Sequence, residues 1–271
     1  MEEDSIHIGR FSLMTTLLNV INESDIDSSS YVLARYFLEH FYELDKLNIY
    51  DVASDCFLSR SGVQRFCKSM GFDTFSSMKN SSPWERGVHR NAFLAYGSRA
   101  DFRAHHRMET AQMASQVETM YDRQQGESLA RRIHDSRHTV LLTAEYSSSG
   151  PKDLQQELMV AGKQLSLMTD SHPQLSLLRS LTDEDLLIVC SATGNYAYAV
   201  NSFIPEIGAQ TVLLTMNRDP LFLETYHKIY YLTEAFDHNP RSAYTKYSIS
   251  YFFDLLYNDY LRLYFPVKQK E

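Results

Sequence analysis

The sequence of 271 residues is 44% hydrophobic and 22% charged, with 10 Gly and 7 Pro, enough for about two folded domains and little extended disorder. No apolar run approaches the roughly 18 residues of a membrane span, and "MEEDSIHIGR" opens on acids without an apolar signal core, so membrane insertion and export are not expected. Cys56, Cys67 and Cys190 lack CxxC spacing, which argues for a reducing cytoplasm and against a zinc framework, and the formal net charge of −8 leaves DNA binding only to a locally basic face.

Leu13, Leu17, Val20 and Ile21 recur at helical spacing and predict a first amphipathic helix that ends near "NESD". "DSSS" (27–30) supplies N-cap residues for a second helix with Leu33, Phe37, Phe41 and Leu44 on one face. A short helix around Ile49, Val52 and Ala53 is followed by a break at Cys56–Phe57–Leu58. Ser59 then caps another helix that Gly71 closes. "NSSPWERG" (80–87) reads as a boundary. From about 91 to 133 the composition is helical, with Met108, Ala111, Met113 and Val117 expected on a partly buried face, and residues 80–135 carry eight Arg and no Lys.

After His138 the rhythm changes. "TVLLTA", "QLSLMTD", "DLLIVC", "QTVLLTM" and "KIYYL" read as five short strands. Between them lie helices such as "KDLQQELMVAG", closed by Gly162, "PQLSLLRSL", and "YAYAVNSFIPEIG", closed by Gly208. Strands alternating with helices of this length predict a parallel sheet covered on both faces. The last segment, "YTKYSISYFFDLLYNDYLRLYF", is a long aromatic helix whose Tyr244, Tyr247, Tyr251 and Leu255 are expected in the core, with a subunit interface as second choice.

The stretch "FLSRSGVQRFCKSMGF" (57–72) has the shape of a DNA-reading helix. Val63, Phe66, Cys67 and Met70 form its apolar face, and Arg60, Ser61, Gln64, Arg65 and Lys68 the opposite one. Residues 1–79 hold 12 acids against 7 bases, yet from Arg60 to Lys79 there are four bases and one acid. Arg can fork onto guanine and Gln onto adenine, while basic residues toward the helix end hold phosphates. Gly62 is costly inside a helix, by about 1 kcal/mol against Ala, and its missing side chain would let the backbone approach DNA. A solvated amphipathic helix in an all-helical domain has the same pattern.

"IYDVASDCFLSRSGVQRFCKSMGFDTFSSMK" resembles the helix–turn–helix of the RpiR family of bacterial sugar-responsive regulators. The resemblance rests on Ile49, Val52-Ala53, Leu58-Ser59, Arg65-Phe66, Gly71-Phe72, Phe75 and Lys79, with "SSYVLARYFLEHF" similar to the family's preceding helix. It implies an N-terminal all-α helix–turn–helix domain plus a C-terminal α/β SIS-like (sugar isomerase) domain with a parallel sheet between helices. The expected boundaries are 1–79 for the DNA-binding domain, 80–130 for a helical connector, and 131–271 for a sugar-phosphate sensor and dimerisation domain. DNA contacts are expected from Ser59, Arg60, Ser61, Gln64, Arg65 and Lys68.

A phosphosugar site in such a sheet needs strand-end loops rich in hydroxyls and backbone N–H groups. "CSATGNYA" resembles the SIS Ser-x-Ser-Gly-x-Thr loop and implies ligand contacts from Ser191, Thr193, Gly194 and Asn195, with Tyr196 where a small hydroxyl residue is usual. In the first loop the usual Gly-x-Gly-x-Ser falls on Thr143, Ala144, Glu145, Tyr146 and Ser147. Ser147 and Ser148 are the expected contacts, both glycines are gone, and Glu145 would repel a phosphate dianion unless it turns away or pairs with a base. A phosphosugar bound differently, an unphosphorylated or amine-bearing ligand, and an empty sensor all remain open.

His89, His105 and His106 read as surface histidines, Cys190 as a buried small hydrophobe, and Glu157 as an exposed or salt-bridged helix residue. No catalytic residue, metal or cofactor is assigned. The expectation is a cytoplasmic bacterial regulator of carbohydrate metabolism, not an enzyme. Its expected partners are a double-stranded DNA operator and a small effector, acting as a homodimer or dimer of dimers. An SIS-type isomerase and a regulator whose SIS domain only dimerises are the alternatives.

Overall fold

A computed structural model describes residues 12–81, 83, 85–171, 174–234, 239 and 241–266. The chain divides into two compact units, one running to Asn91 and the other from Ala92 onward, so the segment 80–130 expected as a connector is shared between them.

In the first unit, helix α1 (Leu13–Glu23) starts where the Ser12 hydroxyl accepts the Thr15 N–H. Its remaining N-terminal donors are met by a distant acid. The Glu85 carboxylate accepts the Leu13 N–H at 3.0 Å and the Met14 N–H at 3.3 Å, along with the Ser12 hydroxyl. A carboxylate fits there because it meets orphan N–H groups at the positive end of a helix. Helix α2 (Ser29–Glu39) is capped by Ser28. The single long helix expected through Leu44 ends at Glu39. A 3-10 turn over Phe41–Lys46 takes over, and its three-residue period still stacks Phe41 and Leu44 on the buried side.

Helix α3 (Ile49–Asp55) is capped by Asn48, and α4 (Arg60–Ser69) by Ser59, whose hydroxyl accepts the Gly62 N–H at 3.1 Å. Gly71, at φ +83°, closes α4 with N–H bonds from Gly71 to Lys68 O and from Phe72 to Cys67 O, the stop that a left-handed residue allows. Thr74 starts α5 (Phe75–Lys79), and a π turn at Glu85–His89 leads into α6 (Arg90–Gly97). Phe37 stacks 5.9 Å from Phe66 and 6.0 Å from Phe75, and with Leu33, Val63 and Cys67 these rings form the core on which α4 rests.

The second unit begins in the helical stretch, which breaks into α7 (Phe102–Met120) and α8 (Arg123–Asp135) where Asp122 caps α8 through the Gln124 N–H. The inward face of α7 is Glu109, Met113 and Val117, not the expected Met108 and Ala111, which are exposed. A glutamate belongs there because its carboxylate takes the Ala243 N–H at 2.8 Å and the Tyr96 hydroxyl.

Strands β1 (Thr139–Thr143), β2 (Ser166–Thr169), β3 (Leu186–Cys190), β4 (Gln210–Thr215) and β5 (Lys228–Tyr231) form one parallel sheet in the order β2-β1-β3-β4-β5. The connecting helices are α9 (Ser149–Val160), α10 (Leu175–Ser180), α11 (Asn195–Val200) and α12 (Leu221–Thr225). The helix expected from Tyr196 to Gly208 stops at Val200, and a 3-10 turn over Ile204–Glu206 holds Pro205, which has no N–H to continue an α-helix. The last helix, α13 (Ala243–Tyr264), packs on α7, α8 and α9. Its buried face is Ile249, Phe252, Phe253, Leu256 and Tyr260, while Tyr244, Tyr247, Tyr251 and Leu255, expected as the core stripe, are only partly buried beside it.

At the amino ends of the strands, Asp185 is buried and accepts both Arg137 nitrogens, at 3.2 and 2.8 Å, and the His138 and Thr182 N–H groups. Burial opposes its ionisation, but the Arg137 and backbone hydrogen bonds outweigh that and hold its carboxyl down at about 2.

Candidate functional site

The first candidate surface is the outward side of α4. Ser59, Arg60, Ser61, Arg65 and Lys68 are all exposed. The Ser59 and Ser61 hydroxyls lie 2.9 Å apart at the helix start. Arg60 lies over the Tyr50 ring, 4.7 Å from its centroid, and donates to the Tyr50 hydroxyl at 3.0 Å, so a guanidinium and an aromatic are held as one unit. Arg65 lines a cleft of about 250 Å3 with Ser29, Ser30, Ser59 and Ser69, where hydroxyls and a cation face the same space.

Gln64 departs from the expected reading role. Its Nε2 donates to Asp73 O at 2.6 Å and its Oε1 accepts the Phe75 N–H at 3.2 Å, so the amide fixes the turn between α4 and α5 instead of facing outward. At Gly62 a Cβ would meet Ser59 Oγ at 3.4 Å and Leu58 Cβ at 4.0 Å, ordinary contacts, so the packing of this unit does not require the glycine.

The second candidate is at the carboxyl ends of the strands. From β1 the chain crosses to β2 on one side and then returns to β3 on the other, making β1/β3 the point where the connections diverge. Open α/β sheets have a crevice there, outside the strand ends. Thr143 and Cys190 pair in register at its floor, and the Thr143 hydroxyl donates to Cys190 O at 3.1 Å. The structure therefore brings the two expected loops side by side, Ser147 and Ser148 after β1 and Ser191 to Asn195 after β3.

Each loop is braced from within. Ser191 is buried, and its hydroxyl accepts the Ala197 N–H in the first turn of α11 at 3.2 Å. Gly194 has φ +81°, and a Cβ there would fall 2.7–3.0 Å from Asn217 side-chain atoms. Asn217, which follows β4, donates to Thr193 O at 3.1 Å. It escaped the sequence reading because nothing in "TMNRDP" marks a residue that supports a loop more than twenty positions earlier. Thr193 is half-buried and Asn195 exposed. In the first loop, Glu145 pairs with Lys152 at 3.1 Å, which neutralises the carboxylate expected to repel a phosphate. Ser148 is buried and donates to Glu145 at 3.4 Å, Ser147 is half-buried, and the Glu145 N–H binds Asp170 at 2.7 Å.

No protein-family model and no curated protein matches this chain. Solved structures do. The NanR protein of Vibrio vulnificus complexed with ManNAc-6P superposes over 93% of this chain and 92% of its own, with a TM-score of 0.52 at 18% identity. The sugar isomerase domain of an RpiR transcription factor from Sphaerobacter thermophilus covers 60% of this chain and 92% of its own, with a TM-score of 0.51 at 14% identity. The second unit has the sugar isomerase (SIS) fold.

Within the SIS domain, the other residues singled out in the sequence are buried or half-buried. Tyr196 occupies the place of a small hydroxyl residue, and its ring is buried, its phenol pushed well above the ordinary range by burial and by Asp170 and Tyr226. Cys190 is fully buried, with its thiol pushed up for that reason alone. Glu157 is half-buried rather than exposed or salt-bridged, and burial with Asp254 and Asp153 nearby raises its carboxyl. His105 and His106, expected on the surface, are half-buried: His105 lies 3.6 Å from Glu109, and His106 stacks on Phe102 and contacts the Tyr96 hydroxyl at 3.0 Å. Among the described residues no three His, Cys, Asp or Glu side chains gather as a metal site would need, and no described helix is long and apolar enough to cross a membrane.

Proposed function

We propose that this protein is a bacterial transcriptional regulator, cytoplasmic and dimeric, in which α3, the turn and α4 form a helix–turn–helix that reads operator DNA. Its SIS domain senses a sugar derivative. The observation that carries the reading is the outward side of α4, where Arg60, Ser61, Arg65 and Lys68 stand clear of the core while the opposite side is fully packed. In this arrangement Arg60 and Ser61, near the helix start, face base edges, and Arg65 and Lys68 hold phosphates. Gln64 braces the turn between α4 and α5. Two copies related by a twofold axis would set two reading helices on half-sites about one DNA turn apart.

The effector site is the β1/β3 crevice, with Ser147, Ser148, Thr193, Gly194 and Asn195 around it and Ser191 fixing the second loop. The NanR relative holds an N-acetylamino sugar phosphate, and that class is the first to test here. Glu145, paired with Lys152, no longer opposes a phosphate in the way an isolated carboxylate would. Binding would alter the spacing of the paired reading helices and with it operator affinity. A second reading, an SIS domain that only dimerises, draws on the internal use of the Ser191, Ser148 and Glu145 side chains. Thermal shift against sugar phosphates and their unphosphorylated forms separates the two. Tight binding stabilises the folded chain by about 2.7 kcal/mol at a hundredfold excess over Kd, and no shift across the panel favours the second reading.

A further inference from the structure

The turn between α3 and α4 carries a cost that its packing does not repay. Phe57 has φ +55°, and among the described residues it is the one non-glycine with a positive φ. Its N–H reaches Ser54 O at 3.1 Å and the Leu58 N–H reaches Ala53 O at 2.8 Å, the same helix stop that Gly71 makes after α4. Glycine enters this conformation freely, whereas a Cβ crowds the following carbonyl. The ring offers no compensation within the fold, since Phe57 is 95% exposed. Backbone and solvation would both favour glycine here, so what holds a phenylalanine at this position lies outside the fold.

The surroundings indicate what that is. Phe57 stands two residues before the cap of α4, next to the exposed Arg60 and Ser61. Tyr50, on α3 and 64% exposed, carries the Arg60 guanidinium on its ring. The nearby acids face away from Arg60 in their hydrogen bonding, Asp51 to Asn48 and Asp55 to the Tyr36 hydroxyl at 2.8 Å, and keep their charge. The Arg60 guanidinium with the exposed Tyr50 and Phe57 rings suits a partner that offers hydrogen-bond acceptors and an apolar edge together. The major groove does so, with phosphates at its walls and thymine methyl groups on its floor.

We propose that Phe57 is a DNA-contacting residue whose ring, held outward by the left-handed turn, packs on thymine methyl groups beside the bases that Arg60 and Ser61 face. This rests on the DNA-reading role of α4. The full chain is first used to select duplexes from a random-sequence pool, and affinities for the selected duplex are then measured by fluorescence anisotropy. Two variants remove the ring, Phe57→Gly and Phe57→Asn, the second because asparagine also tolerates a positive φ. Both are expected to melt no lower than the parent and to bind the selected duplex about tenfold more weakly. The slope of affinity against salt should not change, because no phosphate contact is lost. Replacing the contacted thymines by deoxyuracil should weaken the parent by a similar factor and leave both variants unaffected.

Unchanged affinity in the folded variants overturns the proposal while leaving α4 as the reader. An equal deoxyuracil effect in parent and variants overturns the thymine contact. A shift in oligomeric state instead of affinity would assign the ring to a second copy of the chain. If the parent selects no duplex, the DNA-reading role of α4 fails and the proposal fails with it.

Discussion

Gln64 and Arg65 are neighbours in sequence with opposite expected behaviour. Gln64→Ala removes two hydrogen bonds to the turn before α5 and leaves the Phe75 N–H without its acceptor. That should cost about 2 kcal/mol in urea unfolding and leave the base preference of any selected duplex intact. Arg65→Ala should leave the unfolding midpoint within about 0.5 kcal/mol while weakening DNA binding and reducing its salt slope by about one for each half-site. A stability loss from Arg65→Ala with unaltered binding would remove it from the reading surface. The two glycines divide in the same way. Gly62→Ala should stabilise α4 by about 1 kcal/mol, because a methyl fits there. Gly194→Ala should cost about 1–3 kcal/mol, because a Cβ meets Asn217 at φ +81°. Melting curves of both variants check the pair.

At the scale of elements, Asp185 ties the start of β1 to the chain entering β3 through Arg137, His138 and Thr182. Its folded carboxyl lies below the unfolded one, so its contribution is fully present above about pH 4 and is lost as pH falls toward 2. The shift corresponds to about 2 kcal/mol, and Asp185→Asn should flatten stability against pH in that window. An unaltered acid limb would show that the Arg137 pair contributes nothing. Elements whose signals are local were legible in the sequence. Ser59 and Gly71 bound α4 by their own chemistry, and the five strands showed as apolar runs between helices. What was not legible depends on distant partners. Glu109 is buried on α7 because the Ala243 N–H, 134 residues away, needs an acceptor, and no periodicity shows that. The break in α2 after Glu39 was hidden because a 3-10 turn preserves the i, i+3 spacing of Phe41 and Leu44. The break at Cys56–Phe57–Leu58 was legible, but not the left-handed conformation of Phe57, because such a turn without glycine has no sequence mark.

For the molecule as a whole, the acidic net charge and a DNA-reading role are compatible because charge is placed locally. Exposed Arg60, Arg65 and Lys68 stand on one helix face of a chain whose formal charge is −8. On this reading Arg65 and Lys68 displace counterions from the phosphates they hold, so affinity is expected to fall steeply between about 50 and 200 mM salt. The crevice was legible only in part. Its hydroxyl loops were visible, but the Asn217 brace and the Lys152–Glu145 pair come from folding. In the proposed regulator, a ligand in the SIS crevice changes what α4 does. The most direct measurement is the affinity of the full chain for a selected duplex, with and without saturating N-acetylamino sugar phosphates and related sugar phosphates. At least one of them should change that affinity by about 5- to 150-fold. A duplex affinity that stays the same with every sugar phosphate would contradict it.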